Sequence, residues 1–511
     1  MMFSVIITII PSGNLLAGIA NTPEMAAESD SSARTPSVDM HEVKKQILEL
    51  LAHPEHSQGE MAGHMTENSA ILQTRLTLTN QPFNHDYIGC PGWACFEYSD
   101  RLPVRDGKRT PWMEARAEND YIVKARVTGL KPDTRYHYRL LYGLSPDTFR
   151  VGQWCEFKTL PGKEISRELN IVVMTCMNYA RFHYNPGGHA IGIDRFNGYP
   201  AAGHVLQLRP DFFVGTGDNV YYDSPFMPFG EGVDERSIRN YYHVNFSMPR
   251  LVELFRNVGT YWEKDDHDYR YNDADTTGDR PPSHQLGIRM FREQLPVTDP
   301  ENPAEVTYKT YRVSKELQFW LVENRDYRSP NNMPDGPEKS IWGPEQKAWL
   351  KRTLKESDAT FKILISPDPL IGPDDSYKSD NHVNQKGFRH EGQAFLDWLK
   401  AEGFGRNEFF IINGDRHWQY HSIDPRGYNE FGTGAFNDEN SRWGRNPGDP
   451  ASTDPDAQIV QAFTSPEPSG GFLQVKIDPE GSPWNTPRIT FAFFNDEGGI
   501  LYATFKDTPA E

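Results

Sequence analysis

Apolar residues in this chain recur in short runs that stop abruptly at glycines or polar groups. Runs at 170–175, 211–215, 317–322, 361–366 and 409–413 are predicted to be buried strands. Between them, apolar positions three and four apart predict helices over 286–295, 344–354 and 390–400. Pro344 follows Gly343 at the start of the second helix, and Gly403 lies just past the third. Alternating strands and helices imply an α/β domain over 165–511, with strands at 488–494 and 501–505 closing the chain. Earlier, over 58–160, the period drops to two. Strands are expected at 70–79, 95–98 and 121–127, and Tyr136, Tyr138 and Leu140 should face one side with His137 and Arg139 on the other. This predicts a small N-terminal β-domain, with Pro161-Gly162-Lys163 as its linker.

The first 57 residues read differently. Residues 21–57 are expected to be a linker rich in Ser, Thr, Ala and Pro, followed by a short helix opened by the capping box Asp39-Met-His-Glu42. Residues 1–20 carry an apolar core and then small residues to Ala20. This resembles a secretory signal without its positive start, and implies a periplasmic or extracellular protein. Pro11 and Gly13 break that run, and no later segment reaches ~18 apolar residues, so no membrane span is expected.

Composition narrows the partners. At 511 residues the chain is too long for one ordinary domain. Its formal net charge is −18 and its basic residues do not cluster, which argues against nucleic acid. The four cysteines, Cys90, Cys95, Cys155 and Cys176, contain no Cys-x-x-Cys pair, so a zinc ribbon is excluded. A disulfide among the first three and three buried thiols are both open readings.

The chemistry gathers at strand ends, where open α/β sheets place their ligands. The run 170–175 ends at Cys176. The run 211–215 leads into Gly217-Asp218-Asn219-Val220-Tyr221, and 409–413 into Gly414-Asp415-Arg416-His417. A fourth cluster, Asp265-Asp266-His267-Asp268, lies between the last two. A thiolate and a phenolate suit a trivalent ion such as Fe(III). The oxygens of Asp218, Asp266, Asn272 and Asp415 suit a hard divalent ion such as calcium or magnesium. Two unlike cations side by side can activate water and clamp a phosphoryl group.

In order and form these segments resemble the metallophosphatase superfamily, and within it the PhoD-type alkaline phosphatases. Those enzymes carry Ser-Cys, Gly-Asp-x-x-Tyr, Trp-Asp-Asp-His-Asp and Gly-Asp-x-His motifs. Glu323-Asn-Arg-Asp-Tyr-Arg328 and 343–350 are similar to two further stretches of the family, and Val127 to Leu140 resembles part of a fibronectin type III sandwich. The resemblance covers most of 60–420. It implies a four-layer α/β/β/α sandwich preceded by a fibronectin-like domain. It also implies hydrolysis of a small-molecule or lipid-linked phosphate ester by metal-bound hydroxide attacking in line.

Residue by residue, the resemblance implies that Cys176, Asp218, Tyr221 and His417 hold Fe(III). Asp218 would bridge to a second cation held by Asp266, Asn272 and Asp415, Ca2+ in the family, with Mg2+, Mn2+ or Zn2+ as alternatives. His267 would donate to the leaving oxygen or stabilise charge building on the phosphoryl group, and Asp268 could orient it. Arg325, His183 and Arg416 are candidates for binding phosphate oxygens. The chain departs from the family in four places: Thr175 precedes Cys176, Glu263-Lys264 separate Trp262 from Asp265, Glu323 opens the stretch that begins with Asp in the family, and the superfamily's lone-histidine segment has no clear match, with Asp380-Asn381-His382 as a candidate replacement. The alternatives are a non-phosphate ester hydrolase on the same scaffold and a surface-binding module without catalysis.

Overall fold

The computed structural model describes residues 53–104, 106–184 and 192–508. All of them fall in one compact unit, 48–511. The signal-like segment, the linker and the helix expected before residue 53 lie outside the described residues.

Two large mixed sheets organise the molecule. In the first, nine strands run in the order Ile500–Asp507, Arg488–Asn495, Gly471–Asp478, Leu169–Met174, Phe212–Thr216, Gly259–Glu263, Glu60–Gly63, Ser69–Arg75, Ile122–Thr128. In the second, seven run Lys309–Arg312, Leu317–Leu321, Phe361–Ser366, Phe409–Asn413, Asn429–Thr433, Gln419–Ile423, Val460–Thr464. The centre of each is parallel. Such strands are buried on both faces and read as continuous apolar runs, which explains why the sequence located them.

The two-residue period decides which side chains meet. Ile171 and Val173 point into a core shared with Ile363, Ile365, Phe410 and Ile412 of the second sheet. Their neighbours Val172 and Met174 point the other way, into a core shared with Val205, Tyr242, Leu254 and Met290 of helices Pro200–Gln207, Glu235–Phe246, Pro249–Asn257 and His284–Gln294. On the second sheet, Leu364, Phe409 and Ile411 pack against Leu350, Leu354, Phe395 and Leu399 of helices Gly343–Glu356 and Arg389–Ala401. Helix starts have local causes. The Asp234 side chain accepts from Ser237 N at 2.8 Å and completes a capping box, while Ser283 accepts from Leu286 N at 3.3 Å. The Ser283 cap starts its helix at His284, earlier than the apolar period alone suggested.

The N-terminal β-domain is built from a third, six-stranded sheet centred on Gly92–Ser99 and Arg135–Ser145. Tyr136, Tyr138 and Leu140 are buried, as the alternation required. Its opposing layer is Glu60–Gly63, Ser69–Arg75 and Ile122–Thr128, the far end of the nine-stranded sheet. The segment 58–160 is thus divided between two sheets. One parallel pair, Gly63 opposite Thr260, makes the join. Thr260 Oγ1 donates to Ala62 O at 2.9 Å and Tyr261 OH to Met65 O at 2.9 Å. All four cysteines are buried and free. No helix among the described residues is long and apolar enough to cross a membrane.

Candidate metal centre

The two sheets meet at the carboxyl ends of their parallel strands. Thr175 bridges to Ala435, and Phe436 N donates to Thr175 O at 3.0 Å. Gly414 sits in the junction. A Cβ there would lie 2.3 Å from Thr216 O, 2.7 Å from Thr175 Oγ1 and 2.9 Å from Pro367 O, so only glycine fits. Just past these strand ends the backbone turns into the left-handed region at Cys176 (φ 59°), Asp218 (φ 55°) and Asp415 (φ 59°), and again at Asp273 (φ 56°). Left-handed backbone is strained in non-glycine residues and concentrates at functional sites.

Those turns bring four of the expected donors together. Cys176 Sγ lies 3.3 Å from Asp218 Oδ2, and Tyr221 OH donates to the same oxygen at 2.9 Å. Tyr221 OH is 3.3 Å from His417 Nε2. Atoms of Cys176, Asp218 and His417 lie within 4.8 Å of one another, as do atoms of Asp218, Asp266 and His267. Burial, then Asp218, raises the Cys176 thiol well above its usual range; burial, then Asp218 and Cys176, does the same to Tyr221. Burial, then Arg442 and Arg416, holds His417 well below 6.5. Three potential anions and an imidazole share one spot. That donor set fits a strongly Lewis-acidic cation.

Beside it lies a second group of carboxylates. Asp266, Asp273 and Asp380 offer oxygens within 4.8 Å of one another, and so do Asp265, Asp368 and Asp415. Both oxygens of Asp380 and Oδ2 of Asp265 are buried without a hydrogen bond. Lys378 Nζ approaches Asp273 at 2.8 Å and Asp380 at 3.7 Å. This excess of buried, unsatisfied carboxylate oxygen fits hard cations.

Several expected roles change. Asp268 does not orient His267. Its carboxylate accepts from the backbone of Asp218 (3.2 Å), Asn219 (3.1 Å) and Asp265 (2.6 Å), which ties the two metal loops together. The carboxylate on His267 is Asp223, whose Oδ1 is 2.7 Å from Nδ1 and whose Oδ2 accepts from Asn272 N at 2.9 Å. Tyr221 stacks on the same imidazole at 4.2 Å. Burial would lower the His267 pKa, but Asp223, then Asp266 and Asp218, outweigh it and raise it well above 6.5. Asn272 is exposed, and its neighbour Asp273 faces Asp266 instead. Arg325 is fully buried between Asp265 (Nε, 2.6 Å) and Asp368 (3.2 Å), so its guanidinium is already taken up by carboxylates. Arg416 turns inward onto Asp374 and Asp415. His183 stacks on Tyr179 at 5.1 Å, in an aromatic cluster with Tyr184. His382 packs on Trp342 at 4.6 Å and on Glu391 at 3.1 Å, while Asp380, two residues before it, points to the carboxylate group.

Sequence reasoning missed Asp223, although it lies five residues past Asp218 in the same loop. It also missed Asn440, whose Nδ2 donates to Tyr221 OH at 2.8 Å from a segment with no motif. Arg442 was overlooked as well; its N–H donates to His417 O at 3.1 Å.

Two sheets whose parallel strands end in Cys, Asp, Tyr and His donors define an α/β protein with a candidate metal centre. The particular family follows from comparison with known proteins. The model of the PhoD-like phosphatase family matches residues 171–462, and that of the PhoD-like phosphatase N-terminal domain matches 44–161. The chain belongs to the PhoD-like phosphatase family. It is 21% identical over 400 residues to alkaline phosphatase D of Bacillus subtilis (strain 168), a match spanning 70% of this chain and 64% of that protein. A solved structure of PhoD superposes with a TM-score of 0.68 at 17% identity, covering 88% of this chain and 90% of that one. Purple acid phosphatase from yellow lupin (Lupinus luteus) seeds gives 0.56 at 11% identity, over 88% and 74%. At these identities the two structures speak for the fold.

Proposed function

We propose that this protein hydrolyses phosphate esters at a mixed Fe(III) and divalent-cation centre, on a four-layer α/β/β/α scaffold. The family membership and the alternation of apolar residues between inter-sheet and helix-facing cores support the scaffold. One observation carries the chemistry: Cys176, Asp218, Tyr221 and His417 converge from three strand ends, with left-handed backbone at Cys176 and Asp218. These four would hold iron, and Asp218 would be shared with a divalent ion, Ca2+ by the family's habit, on Asp266 and the neighbouring carboxylates. When bound, the two cations would supply Lewis acidity, activating water and taking up charge on the phosphoryl oxygens.

The chain's own residues do the rest. His267 holds a proton, kept there by Asp223, and donates it to the leaving oxygen. Tyr221 keeps the imidazole plane in place by stacking. Asp268 fixes the spacing of the Asp218 and Asp266 loops through their N–H groups. Arg325 and Arg328 sit between buried carboxylates and neutralise part of their charge. The substrate is a small-molecule or lipid-linked phosphate ester, met outside the cytoplasm if the first twenty residues act as a signal. Metal analysis beside a panel of phosphate mono- and diesters tests the reading. Iron, a divalent ion and ester hydrolysis lost reversibly on chelation are expected. An iron-free active protein would refute the ligand set, and a metal-loaded protein inactive on every ester would leave only binding.

A further inference from the structure

Three of the four donors proposed for iron, Cys176, Tyr221 and His417, touch one short segment, 435–442, that carries no motif. The segment follows strand Asn429–Thr433 of the second sheet and reaches the first sheet at once, where Ala435 bridges to Thr175. It then forms the short 3-10 turn Asp438–Asn440, pinned from two sides. Asn437 Oδ1 accepts from Asn178 N at 3.1 Å, and Asp438 Oδ1 accepts from Gly470 N at 2.6 Å. Asn440 closes the turn and is buried. Its Oδ1 accepts from Asn178 Nδ2 at 3.3 Å, while its Nδ2 donates to Cys176 O at 3.3 Å and to Tyr221 OH at 2.8 Å. A backbone carbonyl can only accept, so the Cys176 contact fixes which end of the amide carries the N–H groups. The donor aimed at the Tyr221 oxygen is fixed with it. That oxygen gives its own proton to Asp218 Oδ2 at 2.9 Å and receives one from Asn440. A cation on Tyr221 would take the place of the first proton and leave the second bond standing. Groups that hydrogen-bond to a metal ligand orient it and tune what it donates.

We propose that Asn440 is a positioning residue of the metal centre: its N–H group holds the Tyr221 oxygen in place and draws electron density from it, and so sets how strongly that oxygen donates to the cation. The identity of that cation as Fe(III) rests on the function proposed above; the bond between Asn440 and Tyr221 does not.

Asn440→Leu keeps the size of the side chain and removes the donor. In iron-reconstituted full-length protein, the visible tyrosinate-to-Fe(III) band should move to longer wavelength, because the phenolate loses a hydrogen bond that lowers its energy. Iron should bind about 10–100-fold more weakly. Asn440→Ser, too short to reach Tyr221, should move the band in the same direction and covers the case in which the leucine variant does not fold. Asn178→Ser removes the bond to Asn440 Oδ1 and keeps a cap for Arg181 N; it should lower the urea midpoint and leave the band in place. In iron-free protein carrying 13Cζ-labelled tyrosine, the Tyr221 signal, assigned with Tyr221→Phe, should move in both Asn440 variants. A band that stays in place in folded, iron-loaded Asn440 variants, or one that moves as far in Asn178→Ser, would overturn the proposal. A protein that takes up no iron would refute the metal assignment instead, and the iron-free Tyr221 signal then decides: moved, it supports the role of Asn440; unmoved, it overturns that role too.

Discussion

Asp223→Asn is the sharpest probe of the His267 assignment. The substitution keeps shape and removes one charge 2.7 Å from the imidazole. At an effective dielectric constant of ~20, a pair at that distance attracts by about 6 kcal/mol. Removing that attraction lowers the His267 pKa toward its ordinary range. Cations on Asp218 and Asp266 would cancel much of those carboxylates' pull, which leaves Asp223 as the main keeper of the proton. The sign follows from the acid role: His267 must be protonated, its pKa is raised, and lowering that pKa moves the alkaline limb of kcat/KM to lower pH. Above the new limb, turnover should fall about 100-fold, within the usual span of acid–base terms. Phenyl phosphate, with the poorer leaving group, should suffer more than p-nitrophenyl phosphate. The assay is a pH–rate profile for both esters with metal content checked. An alkaline limb that stays in place, with full activity, would refute the acid role of His267 and the positioning role of Asp223.

Other expectations follow from burial and charge. Arg325→Met should leave Asp265 uncompensated and Asp368 with Arg328 as its remaining ion-pair partner, and cost about 3–5 kcal/mol in urea unfolding; a raised KM at unchanged stability would instead restore it as a phosphate binder. Gly414→Ala should destabilise by about 3 kcal/mol or more through its clashes with Thr216 O and Thr175, and lower the iron content. Burial lowers the pKa of both His64 and His421 from 6.5 to about 4, so between those values the unfolded chain binds more protons. Stability therefore falls as pH drops from 6.5 to 4, by about 3 kcal/mol per histidine, and His64→Gln or His421→Gln should each remove its share in paired unfolding curves.

The strands that flank the site were legible because parallel strands buried on both faces spell unbroken apolar runs, as at 361–366 and 409–413. Glu235–Phe246 was not, because eight of its twelve residues are buried, Asn240, His243 and Asn245 among them, and no single apolar face remains to be read. Gly259–Glu263 was missed because only Tyr261 and Trp262 mark it, although it delivers the Asp265–Asp268 loop. The donors Cys176, Asp218, Tyr221 and His417 could be chosen by motif, since each follows a strand end. The partners of His267, Arg325 and Arg416 could not. Hydrogen bonds between loops 40 or more residues apart leave no spacing to detect, so neighbours in sequence, such as Asp268, stood in for neighbours in space.

The single parallel pair at Gly63 and Thr260 sets how the polypeptide can be divided. Cutting at the boundary between the two family matches, near residue 161, would strip three strands from a nine-stranded sheet. It would leave Gly259–Glu263 as a bare edge, apolar and open to pairing with other chains. That strand leads directly into the loop bearing Asp266 and His267. The β-domain thus works as a sheet terminus that the rest of the chain borrows, and a fragment starting after it would begin life with its Asp265–Asp268 loop hung from an unfinished edge.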